Sequence, residues 1–278
     1  MIVFPNAKLN LGLHIVGKRP DGYHDLQTVF YPVPPEDALE VVPRQPDDTT
    51  TDEPCRLHLS GIEVNGATSD NLVVKAYRLL AADYPLPPVE VYLHKQIPTG
   101  AGLGGGSADA TFMLKLLNSR FDLQLDTQTL EAYAARLGAD CPFFVNNRPV
   151  YAEGTGDRFT PIDLSLHGKQ LVVVHPGIFI STREAFSHLR PHKPEIDIRE
   201  VITRPLTEWK ELLTNDFEAA LFPYHPTLAR LKDELYAKGA LYAAMSGSGS
   251  ALFGLFPGLT RIDTDFETPH RAVWVERM

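Results

Sequence analysis

Cysteine is nearly absent, with Cys55 and Cys141 the only two in 278 residues. Two thiols build no disulfide framework, so the composition points to a reducing, intracellular setting. Positive charge is scarce as well. The 26 Lys and Arg stand against 35 Asp and Glu, for a formal charge of −9, which argues against a nucleic-acid partner, since such a binder shows a basic face. A small anionic substrate stays open, because a few local lysines and backbone N–H groups can outweigh the global field. No uncharged apolar run reaches membrane-spanning length, so no membrane partner is expected. The opening "MIVFPNAKLN" holds no apolar core of the signal-peptide kind, and a cytoplasmic protein is expected. Repeats and low-complexity tracts are missing too. The nearest is the polar stretch Arg44 to Pro54, which reads as an exposed loop.

What remains is an ordinary globular composition, 44% hydrophobic and 22% charged, long enough for one large or two modest domains. Leu9, Leu11, Leu13 and Ile15 alternate with mostly polar or small residues, the period of a strand with one buried face. Val41–Val42, Leu57–Leu59 and Val89–Leu93 supply further short strands. Leu72, Ala76, Leu79 and Leu80 share a helical face, with Ser69, Asp70 or Asn71 available as cap. Ala110, Met113, Leu114 and Leu117 make a second stripe, and Leu130, Ala134 and Leu137 a third, stopped by Gly138. A turn-rich "AEGTGDRFTPID" follows, and the domain boundary is placed near its end, giving domains of 1–160 and 161–278. Beyond it, "LVVVHPG" reads as a buried strand. Helices are expected around Thr182–Leu189, Thr207–Leu221 and Pro226–Lys238, and strands at Leu241–Ala244, Ala251–Phe256 and Ala272–Val275. Mixed in this order, the elements suggest two α+β layers rather than one doubly wound parallel sheet.

The stretch "TGAGLGGGSADA" meets the pattern G-x-G-x-x-G at Gly100, Gly102 and Gly105. Its context is wrong for a dinucleotide fingerprint, because one helix follows it and no second strand ends on an acidic residue at the right distance. A P-loop fails for want of a Lys-Ser/Thr pair, and no protein-kinase signature occurs anywhere. What survives is general physics. Bare backbone lets N–H groups converge on an anion, and a helix starting near Ser107 aims its positive end there. Ser107 then caps that helix or ligates a metal bound to the phosphates. The plain alternative is a tight strand-to-helix turn without ligand; so many glycines, each costly in conformational entropy, favour the phosphate cradle. A second small-residue turn, "MSGSGSALFG" from Met245 to Gly254, is either a hairpin or a loop that lets another backbone or a ligand approach closely.

Three segments line up together: "PNAKLNLGLHIVGKRPDGYHDLQTVF", "KQIPTGAGLGGGSADA" and "MSGSGSALFG". They resemble the three motifs of the GHMP kinases, named for galactokinase, homoserine, mevalonate and phosphomevalonate kinases. The "DGYH" block, with "DNLVVKAYRLL" and "LGADCPFF", is similar to the branch whose acceptor alcohol carries a cytidine diphosphate, and the resemblance runs from Pro5 to about Phe256. It implies an α+β, two-domain GHMP kinase fold, with an N-terminal α/β ATP-binding domain, a C-terminal ferredoxin-like domain and the substrate in the cleft between them. It further implies an ATP-dependent kinase of the non-mevalonate isoprenoid route, acting on the tertiary 2-hydroxyl of a small cytidylyl substrate. Mg2+ is expected with the ATP, and the pattern assigns the metal no protein ligand. A monomer or homodimer is expected.

By the same resemblance Asp140 is the general base and Lys8 its electrostatic partner, holding it ionised and offsetting charge on the transferred group. Without the motif, Asp140 would be a helix cap ahead of Pro142, and Lys8 the solvated face of a strand. Asn10, two residues along, shares the side of Lys8. Tyr23 and His24 match the cytidine-binding pair, Phe186 the second aromatic wall and Thr182 a holder of the substrate diphosphate. Phe186 alone would read as the core of an amphipathic helix. Gly100, Gly102, Leu103, Gly104, Gly105, Gly106 and Ser107 would hold the ATP phosphates. Asn71, Lys95 and Pro98 fall near adenine and ribose, and Ser248 and Gly249 across from the loop. Cys141 reads as a small buried hydrophobe. The rivals are a GHMP kinase for another acceptor, a catalytically silent nucleotide-binding regulator on the same fold, and, further off, a dehydrogenase.

Overall fold

A computed structural model describes residues 1–44, 53–258 and 261–278, so most of the polar stretch expected to be a loop lies outside the described residues. The chain forms two compact units that interleave along the sequence: Met1–Ala7, Pro35–Thr99 and Gly104–Arg148 in one, Lys8–Pro34, Gly100–Leu103 and Pro149–Met278 in the other. Residues 149–160, which the sequence placed in the first domain, sit in the second unit. The reason is pairing, since Thr28 and Phe30 stand opposite Ala152 and Val150 in the same sheet.

The first unit holds a four-stranded sheet ordered Ile2–Val3, Ala38–Pro43, Val89–Lys95, Cys55–Gly61, the last pair parallel. Alternation along Val89–Lys95 buries Val89, Val91 and Leu93 on one face, as a half-buried strand requires. Against that face pack Val73, Tyr77 and Leu80 of the Leu72–Ala81 helix and Met113, Leu114 and Leu117 of the Gly105–Arg120 helix. Asn71 caps the first of these, its Oδ1 accepting from Val73 N at 2.9 Å. The second starts at Gly105 behind Gly104, which holds φ +71°, so Ser107 lies inside the first turn and is not the cap. The helices Thr127–Ala135 and Phe143–Asn146 complete this unit.

In the second unit an antiparallel sheet runs Tyr242–Met245, Leu252–Pro257, Lys169–His175, Ala272–Arg277. The Asp216–Leu221 and Pro226–Ala237 helices share a core with it, Phe217, Leu221, Leu228 and Leu231 meeting Val172, Val174, Ala243 and Phe256. A further sheet orders Asn6–Lys18, His24–Glu36, Val150–Glu153 and Arg158–Pro161.

Three expectations need correction, and one strand was not expected at all. The Asn6–Lys18 strand is buried without a break from Asn6 to Ile15 rather than on one face, because its polar side chains find partners on the other. The "AEGTGDRFTPID" stretch is a hairpin, Ala152 pairing with Phe159. His24–Glu36 is a 13-residue strand that its prolines disguise. The helix expected over Thr207–Leu221 is broken: Trp209–Leu212 ends before Asn215, which caps the Asp216–Leu221 helix by accepting from Phe217 N at 3.0 Å. Asn215 Nδ2 also donates to Met245 O at 2.7 Å and Gly247 O at 2.9 Å, bonds a continuous helix could not make. Among the described residues no helix is long and apolar enough to cross a membrane.

Candidate functional site

In the second unit the site begins with a lysine in a buried strand. Lys8 is 4% exposed, so it is not on a solvated face, and its ammonium donates to Asn10 Oδ1 at 2.5 Å. The two share a strand face, as the two-residue period demands. Phe30 lies below the ammonium, 4.6 Å from nitrogen to ring centroid, a cation–π contact. Asn10 is fixed in turn: Nδ2 donates to Thr28 Oγ1 at 3.0 Å, and Thr28 donates to Gly12 O at 2.5 Å. The Lys8 amine is thus held in one orientation by a side-chain amide that is itself anchored.

The first half of the glycine loop is clamped to the same strand. Lys8 N donates to Leu103 O at 2.9 Å, and Ala251 N to Ala101 O at 3.0 Å. Ser246 joins the pieces, accepting from Asn10 N at 3.2 Å and donating to Gly102 O at 2.8 Å. Gly102 has φ +80°, and a Cβ on it would run into the carbonyl oxygen of Ser246. Both readings of "MSGSGSALFG" therefore hold. Met245 pairs with Leu252 in a hairpin, and its loop admits another backbone, that of Gly102. Gly249 is buried there and Ser248 half-buried. Gly100, at φ +68°, lies 3.4 Å (from a built Cβ) from the ring of Phe179, which is 77% exposed. Nothing in the spacing singled out Phe179.

The aromatic residues gather in this unit as well. His24 stacks on Phe186 with centroids 4.7 Å apart and planes 26° from parallel, and Phe186 meets Phe217 edge-on at 5.1 Å. Phe186 is thus half-buried against the core, as its helical position suggested, and also half of an aromatic stack. Tyr23, next to His24, is 67% exposed and leaves its ring available. It stands at the end of a tight turn in which Arg19 N donates to Tyr23 O at 2.8 Å. Thr182 is exposed at the start of the Thr182–Ser187 helix, which Ser181 caps through Glu184 N at 3.1 Å.

In the first unit the loop continues into the Gly105–Arg120 helix, whose N–H groups at Gly105, Gly106 and Ser107 have no intrahelical acceptor. Gly105 is required by packing, since its Cβ would meet Ile97 Cγ2 at 2.7 Å. Pro98 is buried just before the loop. Asp140 stands half-exposed in the turn between Thr127–Ala135 and Phe143–Asn146. It does not cap the second of these, whose cap position is Pro142 without a side-chain bond. The turn is tied to the glycine helix: Thr111 Oγ1 donates to Cys141 O at 2.8 Å. The Cys141 thiol is fully buried, and burial pushes it up to about 11 while a hydrogen bond to Ser107 pulls the other way. Asp140 and the helix start are therefore neighbours through Cys141, which packs as the small hydrophobe expected.

Lys95 is 2% exposed, and its ammonium lies between Asp37 and Asp109, the latter at 2.6 Å. Asp37 also accepts from Gln96 N at 2.5 Å and Ile97 N at 2.8 Å. The lysine thus presents no ammonium to the surface, and orders the backbone beneath the loop instead. Burial pushes the Asp109 carboxyl up to about 7, with Lys95 opposing and Asp37 adding to the rise. Sequence spacing gave no hint of this trio, because its members lie on a strand end, a second strand end and a helix.

Comparison with known proteins gives a consistent picture. The model for the GHMP kinases N terminal domain matches residues 71–148, and that for the GHMP kinases C terminal matches 198–268. The 4-diphosphocytidyl-2-C-methyl-D-erythritol kinase of Bacteroides fragilis is 58% identical over 96% of each chain. A crystal structure of 4-(cytidine 5'-diphospho)-2C-methyl-D-erythritol kinase superposes with TM-score 0.77 at 34% identity, over 92% of this chain and 90% of that one. A mevalonate kinase crystal structure, at 14% identity and TM-score 0.66 over 92% and 91%, shares the fold alone.

Proposed function

The chain belongs to the 4-diphosphocytidyl-2-C-methyl-D-erythritol kinases, a family of ATP-dependent kinases with the GHMP fold, and from that membership we propose that it phosphorylates the 2-hydroxyl of 4-diphosphocytidyl-2-C-methyl-D-erythritol, as a step in isoprenoid-precursor synthesis. The observation that supports the acceptor is the pair of stacked rings His24 and Phe186 with exposed Tyr23 next in the chain, all on the same unit as Lys8; at 4.7 Å between centroids the pair admits no base between its rings, so the cytosine lies against an outer face of it. A flat, uncharged base is what such rings hold best. Homoserine, mevalonate and galactose have nothing for them to grip.

Phosphoryl transfer asks for a held triphosphate, an aligned hydroxyl and an acceptor for its proton. In this reading Gly100, Gly102, Leu103 and Gly104 to Ser107 hold the ATP phosphates by backbone N–H groups. Asn71 and Pro98 border the nucleoside end, Lys95 sets the backbone beneath it, and Ser248 and Gly249 line the approach. Thr182 holds the diphosphate of the acceptor, and Tyr23, His24 and Phe186 its cytosine. Asp140 takes the hydroxyl proton as the new O–P bond forms and the bond to ADP breaks. Lys8, oriented by Asn10, offsets charge gathering on the transferred group. Mg2+ supplies charge neutralisation on the phosphates of ATP. Asp109, the carboxylate in the early turns of the glycine helix, is buried with its Oδ2 on Lys95, so it does not reach the loop surface as a metal ligand.

The test is ADP release with Mg-ATP across a panel of the cytidylyl compound, mevalonate, homoserine and galactose. Turnover with the cytidylyl compound alone is expected. Turnover with another acceptor discards the base-binding role of His24 and Phe186, and silence with all four turns the reading toward a regulator.

A further inference from the structure

Away from every residue used above, the second unit brings two imidazoles and a carboxylate together. His14 is 5% exposed on the Asn6–Lys18 strand, and its Nδ1 lies 3.1 Å from Asp216 Oδ1. His192 reaches the same carboxylate from the segment after the Thr182–Ser187 helix, with Nδ1 3.5 Å from Asp216 Oδ2. The rings cross at 82° with centroids 5.9 Å apart, and one donor atom from each of the three residues falls within 4.8 Å of the others.

Those separations suit donors to one ion. Bonds of about 2.0–2.2 Å in a tetrahedron put neighbouring donors about 3.3–3.6 Å apart. The observed 3.1 and 3.5 Å lie close to that range but run to different oxygens of the Asp216 carboxylate, so a shared ion draws the three donors, which lie within 4.8 Å of one another, closer together. Ordinary stability does not call for the full set. Asp216 is already satisfied, since Oδ2 accepts from Ile15 N at 2.7 Å and Oδ1 faces His14. The second imidazole is surplus to that arrangement, yet its segment is anchored here by His192 N donating to Ile15 O at 2.9 Å. One side of the group opens on a cavity of about 230 Å3 lined by His188, Arg190, His192 and Asp216, where water can complete a coordination shell.

We propose that His14, His192 and Asp216 bind a divalent first-row transition ion of the zinc class. Two imidazole nitrogens and one carboxylate oxygen make a borderline donor set, which takes such ions ahead of Mg2+. Bound there, the ion ties the strand that carries Lys8 to the 188–192 segment and to the Asp216–Leu221 helix. The site is separate from phosphoryl transfer and stands whether or not the acceptor named above is right.

The full-length protein, stripped with EDTA and desalted, is titrated with Zn2+ by calorimetry without ATP. Saturable binding of one equivalent per chain is expected, with a rise in Tm from stabilisation of the folded state. Co2+ in its place should give the visible absorption of a four-coordinate site. His192→Ala is the decisive variant, because the side chain is half-exposed and its loss leaves His14 and Asp216 in contact. It should keep the metal-free Tm and weaken Zn2+ binding at least ~10-fold, the scale on which the loss of even a supporting residue acts. His167→Ala, exposed on another surface, serves as the control. Equal Zn2+ affinity in wild type and His192→Ala, or no saturable binding in the wild type, overturns the proposal.

Discussion

Replacing Asp109 with asparagine removes a charge from a buried site that holds one cation and two carboxylates. Lys95 faces both Asp37 and Asp109, and all three side chains are nearly enclosed. Asp37 has the Gln96 and Ile97 N–H groups besides, whereas Asp109 Oδ1 is buried with no hydrogen-bond donor among the described residues. Burial therefore raises the Asp109 carboxyl from 3.8 to about 7 in the folded protein. A group whose folded value lies above its unfolded one stabilises fully below the unfolded value, and loses that stabilisation as pH rises through the folded one. Between about pH 5 and pH 8 the wild type should lose about 2–3 kcal/mol through this group alone. Asparagine cannot ionise and leaves Lys95 and Asp37 as a balanced pair. Urea unfolding of both proteins across that range reads the contribution of the buried trio, because groups remote from it cancel in the difference. The stability of Asp109→Asn relative to wild type should climb with pH, most steeply from about 5 to 7. Parallel profiles, or a gap that closes with rising pH, refute the assignment of a buried, protonatable Asp109.

Gly102→Ala places a Cβ against the Ser246 carbonyl at a positive φ and should cost about 2 kcal/mol or more in stability, with ATP binding by calorimetry falling in parallel. Asn215→Ala loses a helix cap and leaves Met245 O and Gly247 O without their side-chain donor; a drop of about 2–4 kcal/mol in urea unfolding is expected. Phe186→Ala removes the ring on which His24 stacks. It should raise KM for the cytidylyl acceptor about 10-fold while KM for ATP holds, and equal rises in both would point to general unfolding instead.

Local chemistry wrote the legible parts of the sequence. Of the three caps open ahead of Leu72, namely Ser69, Asp70 and Asn71, the last starts the helix, and the alternation of Val89, Val91 and Leu93 gave a strand. The run from Gly100 to Gly106 marked the loop, although not that Gly104, rather than Ser107, begins its helix. What stayed hidden depends on partners far along the chain. Lys8 is buried because Asn10, Thr28 and Phe30 surround it, and no window of sequence around Lys8 alone shows that. The break before Asp216 is made by Asn215 bonding to a hairpin 30 residues away. Lys95 carries the same signal as any solvated strand lysine, and only the fold reveals that Asp37 and Asp109 enclose it. The candidate site was proposed from the sequence for a different reason: its residues fall in motifs that resemble those of the GHMP kinases, whose domain models match this chain.

Phosphoryl transfer to the cytidylyl acceptor by Asp140→Asn, measured beside its ATP affinity, tests the central claim most directly. The substitution keeps the shape of the turn tied down by Cys141 and Thr111, and removes the carboxylate charge together with its ability to accept a proton. Turnover should fall at least ~100-fold, the usual scale for loss of a general base, with ATP binding nearly unchanged. A variant that turns over at close to the wild-type rate would remove Asp140 from the reaction and contradict the account.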